Sequence, residues 1–364
     1  MGRLKIVAMS FDPERLVQAR ELKGLLKKEL AQSVGVTPAA VSAWERGLKK
    51  PSQESIFNLS NELEVEPEFF QASKFSVTSA STAPHFRSLR STPQRIRNQA
   101  YQFGILTATV VDTLQGHLIL PAPELPQTEY PQTEHEVEVA AQLLREYWNL
   151  GKSPISDLLL QAEKKGIIAS INENATASVD AYSMWVGAHP YIILNPIKND
   201  HYRQRFDIAH ELGHLVMHEG AEPGEKVAEE QAHHFASEFL APTSELLPEL
   251  PTAINEEAWK SLLYLKEKWG LSIQALLFRM RKLKTISENS YRGAMATLSR
   301  WNWRRAEPGR ITDWDRPALL SKSIELLEAN GVSREQIAKE ANLKVSHLEK
   351  VVGPAPEQKI EVIL

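Results

Sequence analysis

There is no cysteine among the 364 residues. Disulfide frameworks and thiolate metal sites are therefore excluded, so any metal here must be held by imidazole and carboxylate. The absence fits a reducing, cytoplasmic setting. Long apolar runs are missing as well. The stretch from Met1 to Asp12 has too short an apolar segment for a secretory signal, and no stretch has the length of a membrane span. We therefore expect no membrane partner. A strong excess of one charge is also lacking. The formal net charge is -4, so nucleic-acid binding has to be argued locally rather than from the whole chain. The length suffices for two or three domains, each with its own core.

What is present concentrates in one stretch, Arg205-Phe206-Asp207-Ile208-Ala209-His210-Glu211-Leu212-Gly213-His214-Leu215-Val216-Met217-His218. It contains H-E-x-x-H, with His210, Glu211 and His214 as the fixed members. On a helix, residues four apart share a face, so the two imidazoles can converge on one metal ion. Glu211, one step round from His210, can then act on the attacking water without being a ligand. Phe206, Ile208, Ala209, Leu212, Leu215 and Val216 are apolar, which predicts a buried helix. Polar groups are costly in such a setting unless satisfied, and a metal ion would satisfy them.

The motif is short and also arises in chains that bind no metal, so the third ligand matters. The metzincin extension requires Gly at 217 and His at 220. The chain has Met217 and Gly220, which excludes that class. Another common source is a Glu on a following helix, and the segment from Glu229 to Pro242 fits that role. Ala232, Phe235, Ala236, Phe239 and Leu240 recur there at helical spacing, and Pro242 ends it.

R-F-D-I-A-H-E-L-G-H-L-V-M-H followed by E-x-x-A-x-x-F-A-x-x-F-L-A-P resembles the ImmA/IrrE metallopeptidases. The resemblance implies a gluzincin-like zinc endopeptidase with Zn2+ held by His210, His214 and Glu229, and with Glu211 as the catalytic base. The family usually has Asn or Asp four residues after that Glu, where this chain has His233. His233 shares the helix face of Glu229, so it is expected either to support a ligand from behind or to serve as an alternative ligand. Glu225, Glu230 and His218 are weaker candidates, the glutamates as solvated charge and His218 as a helix-end residue.

The first fifty residues carry ten basic side chains, among them Arg3, Lys5, Arg46, Lys49 and Lys50, against five acids. Pro13-Glu14 opens a first helix. A second helix ends at Gly35, and after a turn Thr37 caps a third with Pro38 at its first position, which makes a helix-turn-helix. The pattern L-A-x-x-x-G-V-T-x-x-x-V-S-x-W-E-R-G-x-x-x-P-S resembles the XRE class of DNA-binding domains over about residues 13–70. The resemblance puts the third helix in the major groove of an operator. Thr37, Pro38, Ala39, Ala40, Ser42 and Ala43 would then face bases or phosphates, and Arg46, Lys49 and Lys50 would contact phosphates. It also implies homodimers on paired half-sites. Trp44 is expected in the core, with Glu45 and Arg46 as a structural ion pair.

The expected fold is multidomain and mainly α. An all-α helix-turn-helix domain spans 11–72, a linker and connecting helix 73–132, an α+β zincin-like metallopeptidase domain 133–285, and a helical region 286–364. Ser73 to Ala83 reads as linker, Pro93 to Leu114 as a helix, and Pro121 to Pro131 as a second boundary. Arg87, Arg90, Arg95 and Arg97 read as a solvated helix face. Strands are expected at Ile167–Ile171, Ala181–Val186 and Tyr191–Asn195, with the last as an edge that an extended peptide can join. Tyr182 and His189 are polar groups to check for contacts with the reacting centre. Further helices are expected at Glu256–Trp269 and around Ile273–Met280. Trp301, Trp303 and Trp314, near Arg300, Arg304, Arg305 and Arg310, are expected to dock on the central domain. Ile337 to Leu348 echoes the apolar spacing of Leu30 to Val41 without the W-E-R-G tail, a degenerate helix-turn-helix suited to packing or partner binding.

ImmA/IrrE relatives commonly cleave or control transcriptional repressors in bacterial prophage, mobile-element or stress circuits. With both functions on one chain, the resemblance implies a DNA-bound regulator whose protease acts on itself, a partner repressor or an antitoxin. The alternative is a non-proteolytic transcription factor or antitoxin in which the zincin fold senses a ligand or binds a partner. An intact Glu211 argues against that alternative, since a scaffold has no need of it.

Overall fold

The computed structural model describes residues 10–71, 85–86, 92–177, 179–198, 200–218, 225–309 and 315–353. The Ser73–Ala83 linker, Arg3, Lys5, Arg87, Arg90, Arg310 and Trp314 lie outside these. The N-terminal unit holds α1 (Pro13–Leu22), α2 (Lys27–Ser33), α3 (Pro38–Glu45) and α4 (Gln53–Glu62), followed by a 3-10 turn at Pro67–Phe70. The helix starts are written in the sequence. Asp12, Thr37 and Ser52 each accept a hydrogen bond from a first-turn backbone N–H, and Pro38 occupies a position where no N–H is needed. Gly35 takes a left-handed φ of 72° in the turn. Leu16, Leu30, Ala31, Val41, Trp44, Ile56 and Leu59 fill the core. Glu45 does not pair with Arg46 as expected. It turns inward and binds Arg20 and Lys27, the latter at 2.8 Å, while the Arg46 Nε–H donates to the Ser42 carbonyl. Arg95 pairs with Glu29 of α2, and Arg97 with Gln94 one turn before it.

The centre of the molecule is a four-stranded sheet. Its strands are β1 (His85–Phe86), β2 (Ile168–Ile171), β3 (Tyr182–Val186) and β4 (His189–Leu194), in the order β1-β3-β4-β2. β3 pairs antiparallel with β1 and β4, and β2 runs parallel to β4. This corrects the expectation for the last strand. β4 is interior, because β2 returns on its far side; β3 is interior too where β1 pairs with Tyr182 and Ser183, and only its Met184 to Val186 carry no strand on that side among the described residues. Strand alternation divides the sheet between two cores. Tyr182, Met184, Val186, Tyr191 and Ile193 join one, and Ala169, Ile192 and Leu194 join the other.

Covering the first face are α5 (Gln94–Gln115) and three C-terminal helices, α14 (Leu319–Ala329), α15 (Arg334–Glu340) and α16 (Val345–Val352). The buried Glu163 carboxylate caps the start of α14 by accepting from the backbone N–H groups of Ala318 and Leu319 at 3.0 Å. α15 and α16 repeat α2 and α3 in helix lengths of seven and eight residues, with Asn342 (φ 57°) in the place of Gly35. Here His347, Leu348, Val351 and Val352 are buried, and the Val351 carbonyl accepts from Ser170 of the sheet at 2.9 Å. The echo in the sequence is therefore a structural repeat, and its second helix is spent on packing.

The second face carries α6 (Glu134–Tyr147), α7 (Leu158–Lys164), α8 (His201–Met217), α9 (Lys226–Leu240), the short α10 (Thr243–Leu246), α11 (Glu256–Trp269), α12 (Ile273–Lys282) and α13 (Glu288–Arg300). Trp301 and Trp303 dock on Trp259 of α11 with ring centroids 5.1 and 6.1 Å away. The proline-rich stretch before α6 is a strap laid along this unit. Glu124 N–H donates to the Lys165 carbonyl at 2.9 Å, and Thr128 Oγ1 to the Val216 carbonyl at 3.0 Å. Such bonds satisfy backbone groups that prolines leave without regular partners.

Candidate functional site

α8 is opened by Asp200, which accepts from the Arg203 N–H, and its buried face carries His210, Glu211 and His214. α9 crosses it closely at Gly213. A Cβ there would sit 3.0 Å from the Phe235 ring, so glycine sets how near the two helices come. That approach brings Glu229, in the first turn of α9, onto the two histidines.

The Nε2 atoms of His210 and His214 lie 3.2 Å apart. Glu229 places Oε2 at 3.3 Å from the first and Oε1 at 3.5 Å from the second. Both histidines are 1% exposed. The Glu229 oxygens are buried without a well-formed hydrogen bond, these two nitrogens being the near neighbours. Burial pushes the Glu229 carboxyl up, but the imidazoles facing it outweigh that and hold it below the usual carboxylate range. Three donor atoms thus converge on a shared centre. Bonds of about 2.0–2.1 Å to a tetrahedral zinc require donors roughly 3.3–3.4 Å apart. The observed spacings of 3.2, 3.3 and 3.5 Å fit that requirement.

Glu211 is buried and accepts a 2.6 Å hydrogen bond at Oε2 from Ser183 Oγ on β3. Sequence reasoning missed Ser183. Its signal was a hydroxyl between Tyr182 and Met184 in an apolar strand, at the position that alternation turns toward α8. Tyr182 and His189 are not at the site. The Tyr182 hydroxyl donates to the Ala100 carbonyl in the opposite core, and His189 meets Gln115.

His233 packs its ring edge-on to His210, with centroids 4.9 Å apart, and also lies against Phe206. It stands beside the converging donors and is not one of them. His218 is more than a helix-end residue. It is fully buried, with Nδ1 3.0 Å from His214 Nδ1 and Nε2 2.9 Å from Gln231 Oε1. Burial pushes it down to about 4, so it is neutral at ordinary pH. Glu225 and Glu230 are exposed.

In the N-terminal unit, Thr37, Pro38 and Ala39 are exposed at the start of α3, Ala40, Ser42 and Ala43 are half-buried, and Arg46, Lys49 and Lys50 are exposed beyond it. Ala39, Ser42 and Arg46 share a helix face by their spacing.

Two family models match the chain. The IrrE N-terminal-like domain, of the M78 peptidases, covers residues 162–281. A helix-turn-helix model covers residues 16–70. No curated protein matches. The first match takes in the three converging donors and the strands that face them, and the second takes in α2, α3 and the turn between them. Among the described residues no helix is long and apolar enough to cross a membrane. The chain thus carries, in this order, a region that matches a helix-turn-helix domain and a central region that matches an IrrE N-terminal-like domain of the M78 peptidases.

Proposed function

We propose that the central domain is a zinc endopeptidase whose metal is held by His210, His214 and Glu229, and that it acts on a regulatory protein from a DNA-bound, cytoplasmic chain. The convergence of two buried imidazoles and a carboxylate at zinc-like spacing carries this reading. Bound zinc supplies a Lewis acid that polarises the scissile carbonyl and acidifies the attacking water. Glu211 takes that water's proton and returns it to the leaving amine. The Ser183 hydroxyl donates to Oε2 of Glu211 and so orients its carboxylate.

The substrate is an extended peptide added to the β3 edge. β1 lies antiparallel on that edge opposite Tyr182 and Ser183, while Met184 to Val186 carry no strand there among the described residues. Ser183, next to that open stretch and itself paired with β1, binds Glu211 through its side chain. A partner repressor, an antitoxin and the chain's own interdomain segment all offer such peptides in a prophage, mobile-element or stress circuit. At the other end, a homodimer would read operator half-sites through Thr37, Pro38, Ala39, Ala40 and Ser42, with Arg46, Lys49 and Lys50 on phosphates. Residues 11–72 and 133–285 are the units assigned to these two tasks.

The test is zinc content by mass spectrometry with a matched cleavage assay. Wild type, Glu211→Gln and His210→Ala are each incubated with neighbouring-gene products. One zinc in the first two, none in the third, and cleavage by wild type alone is the expected result. Full cleavage by Glu211→Gln would refute its role as base. Zinc in both with cleavage by neither would favour a non-proteolytic regulator.

A further inference from the structure

We propose that the edge of β3 is contested within the chain. β1, from the segment that joins the helix-turn-helix unit to α5, occupies part of the peptide-binding edge beside Glu211 and competes there with an incoming peptide. The inference rests on the peptide-edge reading above and deepens it. β1 pairs antiparallel with β3, His85 opposite Ser183 and Phe86 opposite Tyr182. Ser183 is the residue whose hydroxyl meets Glu211 at 2.6 Å. Neighbouring strands lie about 4.7–4.9 Å apart, so position 85 stands one strand spacing from the residue that orients Glu211. A peptide that reaches the same carboxylate by joining β3 needs the backbone groups that β1 faces.

Two features set the strength of this contact. The first is a short, anchored tether. Phe86 is soon followed by α5, which starts at Gln94 and lies on β3 itself. The Tyr182 hydroxyl donates to the Ala100 carbonyl, and Gly104 leaves room for Met184, whose Sδ would be 2.5 Å from a Cβ there. A segment tethered in this way meets the edge at an effective concentration on the order of millimolar. The second feature is brevity. Continued one step, the register would set position 84 against Met184, and Pro84 has no N–H to donate. Two residues fall short of the usual strand length of about 3–10, so β1 holds the edge weakly enough for a longer peptide to displace it. Met184 to Val186 carry no strand on that side among the described residues, and there such a peptide can begin to pair.

The test locks and releases β1. The chain has no cysteine, so His85→Cys/Ser183→Cys can form a single intramolecular disulfide. Opposed residues of an antiparallel pair have Cα atoms about 4.5–5.5 Å apart, within disulfide range. The probe is a fluorescent peptide copying residues 80–89 with valine in place of Pro84, titrated with a chelator present so that no cleavage intervenes. The reduced full-length protein should bind it. The oxidised protein should bind at least about tenfold more weakly, because only chains with a free edge are competent. His85→Pro/Phe86→Pro, which removes the competitor's N–H groups, should bind more tightly than wild type. Failure of the disulfide to form, equal binding by the two redox forms, or a proline variant no tighter than wild type overturns the inference. Absence of peptide binding to every form overturns the peptide-edge reading itself, and the zinc and cleavage assay above stands apart from both.

Discussion

Replacing Arg279 by Met tests what holds the end of α9, the helix that carries Glu229. Arg279 and Glu238 are 3% and 2% exposed at the side chain and lie 2.9 Å apart, Nη2 to Oε2. Arg279 Nη2 also donates to the Ala241 carbonyl at 3.1 Å and to Thr243 Oγ1 at 2.7 Å. Glu238 accepts in addition from the Thr243 N–H at 2.8 Å and from Thr243 Oγ1 at 2.6 Å. This knot secures the chain where Pro242 stops the helix. Taking away the guanidinium leaves a carboxylate buried without its countercharge, at a cost of about 3–5 kcal/mol. For a domain of this size that corresponds to a midpoint lower by roughly 6–20 °C. Arg279→Met/Glu238→Gln removes the stranded charge while keeping an acceptor for Thr243, and should recover at least about 2 kcal/mol of the loss. Urea unfolding followed through the buried Trp148 and Trp269 measures both variants. A loss under about 1 kcal/mol in the single variant, or a double variant no better than the single, would refute the reasoning.

A pH dependence should come from His347, whose burial, with Lys350 and Lys344 nearby, pushes it from 6.5 down to about 4 despite the facing Glu64. Between those values only the unfolded chain takes the proton, so stability falls as pH is lowered from about 6.5 toward 4, by about 3 kcal/mol in all. His347→Leu should flatten that decline in unfolding curves recorded across the window, and an unchanged decline would discard the assignment. On DNA, Ala at Arg46, Lys49 or Lys50 should weaken binding to all sequences alike. Each loss should cut the slope of log affinity against log salt by about 0.9. Thr37→Ala or Ser42→Ala should instead change which bases are preferred, and a variant of Arg46 with an unaltered salt slope would remove it from the phosphate contacts.

Local chemistry was legible from residues alone. Caps, a turn glycine and apolar spacing of 3.6 placed α2 and α3, and the same spacing placed α8 and α9 with His210, Glu211, His214 and Glu229 upon them. These features depend on neighbours within a few positions, and such patterns survive being read along a line. The pairing of strands does not. Tyr191–Asn195 reads as an edge until β2 is seen to return beside it, and Tyr182 reads as a polar group to check at the reacting centre until alternation turns it into the opposite core. The relation of Ser183 to Glu211 depends on which face of β3 lies over α8. The chain of contacts from Pro131 through Gln231 and His218 to His214 depends on where a strap, two helices and their crossing at Gly213 come to rest. The sequence by itself determined which helices form and which imidazoles and carboxylates they offer. Only the tertiary structure decided what stands behind those side chains, because a hydrogen bond between residues a hundred positions apart leaves no periodicity in either segment.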